Sequence, residues 1–219
     1  MNDTAQPLQV ALIGYGFVGK AFHAPLINAV PGLELSVVAS RDAAKVHADL
    51  PHAQVIADPL EAIRRPEVDL VVIASPNDTH APLALAALEA GKHVVVDKPF
   101  TLDLAQARTL IAAAEKHDRL LSVFQNRRWD SDYLGVKQVI EQGLIGKVTH
   151  FESHIDRYRP EVRVRWREQN LPGSGLWFDL GPHMVDQALQ LFGLPHSVQA
   201  NIATLRPNAQ VNDWAHVVL

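Results

Sequence analysis

Six short apolar runs punctuate the first 125 residues: LQVALI at 8–13, LELSVVA at 33–39, QVIA at 54–57, DLVVIA at 69–74, HVVVD at 93–97 and LLSVF at 120–124. They are continuous rather than alternating, the pattern of strands covered on both faces. Segments with helical spacing lie between them, at 18–29, 42–49, 59–64, 79–90 and 103–117. In APLALAALEAGKHVVV, Leu83, Leu85, Ala86 and Leu88 form a wide apolar helix face, Gly91 closes the helix and the next strand begins. Strands joined by short helical crossovers predict an α/β fold with a parallel, doubly wound sheet.

The pattern changes after residue 125. A helix at 132–142 precedes GKVTHFESHIDRY, which alternates as an antiparallel strand with one covered face does. An arginine-rich stretch, the segment GSGLWFDLGPH, a helix at 183–192 and strand-like runs at 197–205 and 214–219 follow. The expectation is a first domain over 1–125 and a second, α+β domain over 126–219 with an open, mostly antiparallel sheet. The closing DWAHVVL reads as a strand in progress, so the second domain is expected to continue past Leu219.

Composition narrows the partners. The 219 residues are 47% hydrophobic and 20% charged, with a net charge of −4. That balance argues against nucleic acid as the main partner. There is no cysteine, hence no disulfide or thiolate site, which fits a cytoplasmic protein. No secretory leader, membrane-length apolar run or internal repeat is read.

The chemistry-bearing positions fall at the ends of the apolar runs. GYGFVG (Gly14, Gly16, Gly19, with Phe17 and Val18 between) is a G-x-G-x-x-G between a strand and a helix. In that context it points to a dinucleotide whose pyrophosphate meets the helix N-terminus. A plain tight turn is the alternative. About 20 residues further on, where a carboxylate usually holds the ribose 2′-OH, stand Ser40 and Arg41. A hydroxyl and a guanidinium suit a 2′-phosphate, so the expected cofactor is NADP, with NAD as the alternative. Asp42 either caps the next helix or holds the ribose. In SPNDTH, Pro76, Asn77 and His80 are candidates to touch the cofactor, and Asp78 or Thr79 to cap a helix.

Lys98 follows the fifth strand, in VVVDKPF. Desolvation beside a crevice would turn it into a usable base; a surface lysine beside a turn is the bland reading. In FDLGPHMVDQALQLFG, Asp179 and His183 stand four apart, with Pro182 suited to a first helical position. No third ligand of suitable spacing supports a metal there. The run DRYRPEVRVRWRE carries Arg157, Arg159, Arg163, Arg165 and Arg167 among Asp156, Glu161 and Glu168, and reads as a salt-bridged surface or a subunit contact.

These motifs, in this order, resemble the Gfo/Idh/MocA oxidoreductases: GYGFVG, SPNDTH, DKP where that family usually has Glu-Lys-Pro, and DLGPHMVD for its Asp-x-x-x-His. FHAPLI, FQNRRWDSD, FESHIDRYRP and WREQNLPGSGLW resemble the branch that holds NADP-dependent scyllo-inositol dehydrogenases. The resemblance implies a Rossmann domain, then an α+β domain whose open sheet packs on another subunit, giving a homo-oligomer (dimer or tetramer). It also implies hydride transfer between NADP and a carbinol carbon of a cyclic polyol or sugar. Lys98 would help to deprotonate the hydroxyl, His183 would transfer the proton, and Asp179 would hold a hydroxyl or orient the histidine. Arg127, Arg128 and Trp129 would lie near the nicotinamide and the substrate. A non-catalytic dinucleotide-binding sensor of the same fold is the rival reading.

Overall fold

The computed structural model describes residues 6–219. The chain divides into two compact units, one running to Phe124 and one from Gln125 onward.

The first unit is built on six parallel strands: β1 (Leu8–Ile13), β2 (Leu33–Ala39), β3 (Gln54–Ile56), β4 (Leu70–Ile73), β5 (His93–Asp97) and β6 (Leu121–Phe124). Their order in the sheet is β3-β2-β1-β4-β5-β6. The chain therefore reverses direction across the sheet between β1 and β4, opening a crevice at their carboxyl ends. The intervening helices are α1 (Ala24–Ala29), preceded by a wider π-type turn at Gly19–His23, then α2 (Ala43–His47), α3 (Pro59–Ile63), α4 (His80–Glu89) and α5 (Leu104–His117). Two apolar clusters flank the sheet. One gathers Ile13, Val37, Ile63, Ile73, Leu88, Val96 and Leu110; the other gathers Val10, Leu12, Ile27, Val38, Val46 and Val72. Alternate residues of β1 feed opposite clusters, which is why the strands read as unbroken apolar runs.

Local chemistry sets the helix ends. Asp42, Asp58 and Asp103 each accept a backbone N–H of the following turn, as caps do. Thr79 precedes α4 but does not cap it with its side chain, and neither does Asp78. The Thr79 hydroxyl turns back to the Pro76 carbonyl (2.7 Å) and to the Ser75 hydroxyl (2.6 Å). The buried face of α4 is His80, Leu83, Ala84, Ala87 and Leu88, so Leu85 and Ala86 lie at its margin rather than at its centre. Gly91 ends that helix at φ +74°.

The second unit holds α6 (Ser131–Glu141), α7 (Leu176–Phe192) and an antiparallel pair, β7 (Gln199–Ala203) with β8 (Trp214–Val218). Two expectations change here. GKVTHFESHIDRY forms no strand, because among the described residues no strand pairs with it and its alternation has no ladder to join. The helix expected from 183 starts seven residues earlier, at Leu176, with Pro182 inside it. The cause lies far along the chain: Asn212 accepts Leu176 N–H on its carbonyl and Trp177 N–H on its side chain, each at 2.8 Å. Two amides at the start are thus satisfied without a local cap.

No described helix is long and apolar enough to cross a membrane.

Candidate active site

The glycine turn after β1 shows three different demands on one motif. Gly14 sits at φ +99°, and a Cβ there would lie 2.7 Å from the Ala74 carbonyl at the end of β4. A Cβ on Gly19 would run into the Gly14 carbonyl. Nothing lies within 4 Å of a Cβ built on Gly16. The first and third glycines therefore let turn, strand and helix pack; the second leaves open space at the crevice. Those are the three jobs a dinucleotide turn needs, and the open space is where a pyrophosphate would approach the backbone. Beside it Phe17 is 77% exposed, its ring edge-on to Phe22, and Val18 is half-buried.

The other candidates of the first unit stand on the same carboxyl edge. Ser40 and Arg41 follow β2 directly. The Ser40 hydroxyl accepts Asp42 N–H (3.1 Å), and the Asp42 carboxylate is taken up as the α2 cap. Arg41 is exposed. Pro76 and a buried Asn77 follow β4. His80 follows at the start of α4. It is 1% exposed, with Nδ1 2.8 Å from the Pro99 carbonyl and Nε2 3.0 Å from the Ser75 carbonyl. It packs between the loops after β4 and β5, and in either neutral tautomer its one N–H donates to one of these carbonyls.

Lys98 is half-buried at the end of β5, and its backbone N–H donates to Asp97 Oδ1 (2.8 Å). Behind this turn lies His23, which sequence reading passed over as one more residue of a helical stretch. It is 3% exposed and packs on Phe124 with ring centroids 4.3 Å apart. Its Nε2 has no hydrogen-bond partner and lies 4.0 Å from Asp97 Oδ1. Burial pushes the imidazole down to about 4, so at neutral pH it is uncharged and the 4.0 Å contact is no ion pair. The signal available in the sequence was a histidine between apolar neighbours. Its facing carboxylate is 74 positions away.

The depressed value makes stability depend on pH. Between 6.5 and about 4 the unfolded chain binds a proton on His23 that the folded chain refuses. Stability is therefore lost as pH falls through that window, by up to about 3 kcal/mol. Urea unfolding of the wild type and of His23→Leu at pH 7 and pH 4.5 measures it. The wild type should lose stability more steeply than the variant; equal losses would show that His23 is not held neutral.

In the second unit, Asp179 lies in the first turn of α7 and His183 one turn later, on the same face of one helix. His183 is 6% exposed. Asp179 stands 3.5 Å from Arg167 Nε. Gly181 makes room for the Trp177 indole, which a Cβ would meet at 2.7 Å. Arg128, expected near the nicotinamide, grips Asp186 of α7 through two bonds, at 2.8 and 2.6 Å, a fork-to-carboxylate pairing that fixes the turn at 126–129 to the helix. Trp129 beside it is 77% exposed, so its ring is free to stack. Among the described residues no group of three or more His, Asp or Glu stands in place to hold a metal ion.

Comparison with known proteins agrees with the first unit's geometry. The sequence model of the Gfo/Idh/MocA oxidoreductase family, NAD-binding Rossmann fold, matches residues 8–125, and that of the family's C-terminal domain matches 133–219. The Escherichia coli oxidoreductase YdgJ, whose own activity is uncharacterized, is 58% identical over 97% of this chain and 61% of its own length. The Bacillus subtilis scyllo-inositol 2-dehydrogenase (NADP(+)) IolW is 38% identical over 97% of this chain and 59% of its own. A solved Klebsiella pneumoniae structure superposes with a TM-score of 0.89 at 68% identity, covering 98% of this chain and 59% of that one. The chain thus spans about three-fifths of the length of these relatives. It belongs to the Gfo/Idh/MocA oxidoreductase family.

Proposed function

We propose that this chain carries the cofactor site and the reacting side chains of an NADP-preferring dehydrogenase acting on a CH–OH group of a cyclic polyol or sugar, an inositol being the leading substrate. The carrying observation is the turn Gly14–Gly19, whose middle glycine leaves the crevice open while Lys98 stands on the same edge of the sheet. The preference for NADP rests on Arg41. It follows β2 and is exposed, and the acid beside it, Asp42, caps α2 through Oδ1. The cofactor named for IolW points the same way.

Bound NADP would supply a two-electron acceptor at nicotinamide C4. The turn Gly14–Gly19 would hold the pyrophosphate, and Ser40 with Arg41 the 2′-phosphate. Lys98 would hold the substrate hydroxyl and draw off its proton as the C–H electron pair leaves, turning the carbinol into a carbonyl. His183, one turn on from Asp179 on the same face of α7, would exchange that proton, with Asp179 orienting it or holding a second hydroxyl. The functional unit is proposed to be a cytoplasmic homo-oligomer joined through the sheet of the second unit.

Nicotinamide reduction over a panel of inositols and aldoses, with NADP and NAD in parallel, tests the activity. Arg41→Ala tests the cofactor. It should weaken NADPH binding about 10-fold or more and NADH binding little, since only the former loses a charged, forked contact. Equal losses would remove the phosphate role.

A further inference from the structure

The second unit contains a cavity of about 340 Å³ within which the arginine run and the start of α7 meet. That volume lies in the range of small-molecule sites, about 300–1,000 Å³. Its wall carries five arginines, at 157, 159, 165, 167 and 206, against three carboxylates, Glu168, Asp179 and Asp213.

The carboxylates are not shared evenly. Arg206 takes both Asp213 (2.8 Å) and Glu168 (2.6 Å), and Glu168 also accepts from Arg165 (2.9 Å). Burial would raise Glu168, but the bonds from Arg206 and Arg165 outweigh it and hold the carboxyl below its usual range. Arg167 lies over the Trp166 ring (4.5 Å) and 3.5 Å from Asp179. Arg157 and Arg159 remain. Among the described residues neither has a carboxylate within 4.0 Å, and Asp156 and Glu161, interleaved with them in sequence, do not pair with them. The guanidinium of Arg159 is held below its ordinary value by burial and by the neighbouring charges of Arg163, Arg157 and Arg165, which outweigh the opposing charge of Asp179.

The backbone at Arg159 is nevertheless fixed. Arg206 Nη1 donates to the Arg159 carbonyl (3.3 Å) and to the Glu161 carbonyl (3.1 Å). The ion-paired knot of Arg206, Glu168 and Asp213 thus pins a strandless segment at the cavity mouth. Arg159 is half-buried and Arg157 exposed. Five guanidiniums against three carboxylates leave the cavity wall with an excess of positive charge, which an anion would offset.

We propose that this pocket receives an anionic group, a carboxylate or a phosphate carried by the polyol or sugar substrate, on Arg157 and Arg159, in the cavity that Asp179 also lines. The assignment rests on the dehydrogenase reading for what the rest of the ligand is, and narrows that polyol or sugar, inositol included, to a derivative bearing an anionic group: a sugar acid or a sugar or cyclitol phosphate.

Calorimetry on the full chain, with and without NADP, tests it. The ligands are scyllo-inositol and glucose as neutral arms, glucuronate as the carboxylate arm, an inositol monophosphate as the phosphate arm, and inorganic phosphate as the bare anion. At low salt at least one charged arm should bind about 10-fold or more tighter than its neutral counterpart, and the advantage should shrink with added salt. Arg159→Gln and Arg157→Gln should each bring that ratio towards one; both side chains lack partners, so the fold should survive. Which arm wins separates carboxylate from phosphate. Neutral ligands binding as well as their charged counterparts, or inorganic phosphate competing as strongly as the charged arms, overturns the assignment. The same ligands are then offered for nicotinamide reduction. Turnover of neutral polyols without binding of acids removes the anion site and keeps the dehydrogenase. Binding of acids with no turnover of any ligand keeps the site and removes the dehydrogenase.

Discussion

Lys98→Met should abolish turnover, lowering kcat/KM by about 10³-fold, while NADPH affinity stays within a few-fold of the wild type. The split follows from where the residue stands. Its backbone N–H, donated to Asp97 Oδ1, is retained by any substitution, so the end of β5 keeps its shape. The glycine turn that would carry the dinucleotide lies on the other side of β4 in the sheet order. What methionine removes is the amine that would draw the hydroxyl proton, at nearly the same length and volume. Fluorescence titration with NADPH and initial rates with the best substrate make the measurement. A variant that still turns over removes the proposed role of the lysine; one that has lost NADPH as well shows that the lysine is a cofactor ligand first.

The glycine turn should separate fold from ligand in one experiment. Gly14→Ala places a methyl 2.7 Å from the Ala74 carbonyl and forces φ +99° on an L-residue. Backbone strain and overpacking together cost about 3 kcal/mol, a drop in Tm of roughly 10 °C for a domain of this size. Gly16→Ala meets nothing within 4 Å, so Tm should stay within a degree or two of the wild type. Its methyl occupies the space a pyrophosphate needs, and dinucleotide affinity should fall by about 10-fold or more. Thermal unfolding beside NADPH titration reads both. Gly16→Ala with undiminished affinity would remove the pyrophosphate from this turn.

The first unit was legible because its information is local. Each strand is covered on both faces, so LQVALI or DLVVIA reads as a strand without knowledge of its neighbours, and the βαβ handedness rule assembles the rest. Gly14, Gly16 and Lys98 were legible because the ends of those strands were. The second unit is decided by distant partners. GKVTHFESHIDRY has the alternation of a strand, but alternation supplies only one side of a ladder. Pro182 looked like a helix start; Asn212, 36 positions beyond Leu176, moved the start upstream. The pairing of Arg128 with Asp186, 58 positions away, was not legible either. His80 and His23 carry the same lesson inside the first unit, since their partners at Pro99 and Asp97 are far away in sequence.

The Asn212 contact has one more consequence. Gly175 must be glycine there, since a Cβ would lie 2.6 Å from the Asn212 amide nitrogen. The first turn of the helix bearing Asp179 is thereby clasped to the loop between the last two strands. Helix start and hairpin open and close as one cooperative unit, so damage to the hairpin would be felt at Asp179 although no hairpin residue need ever touch a ligand.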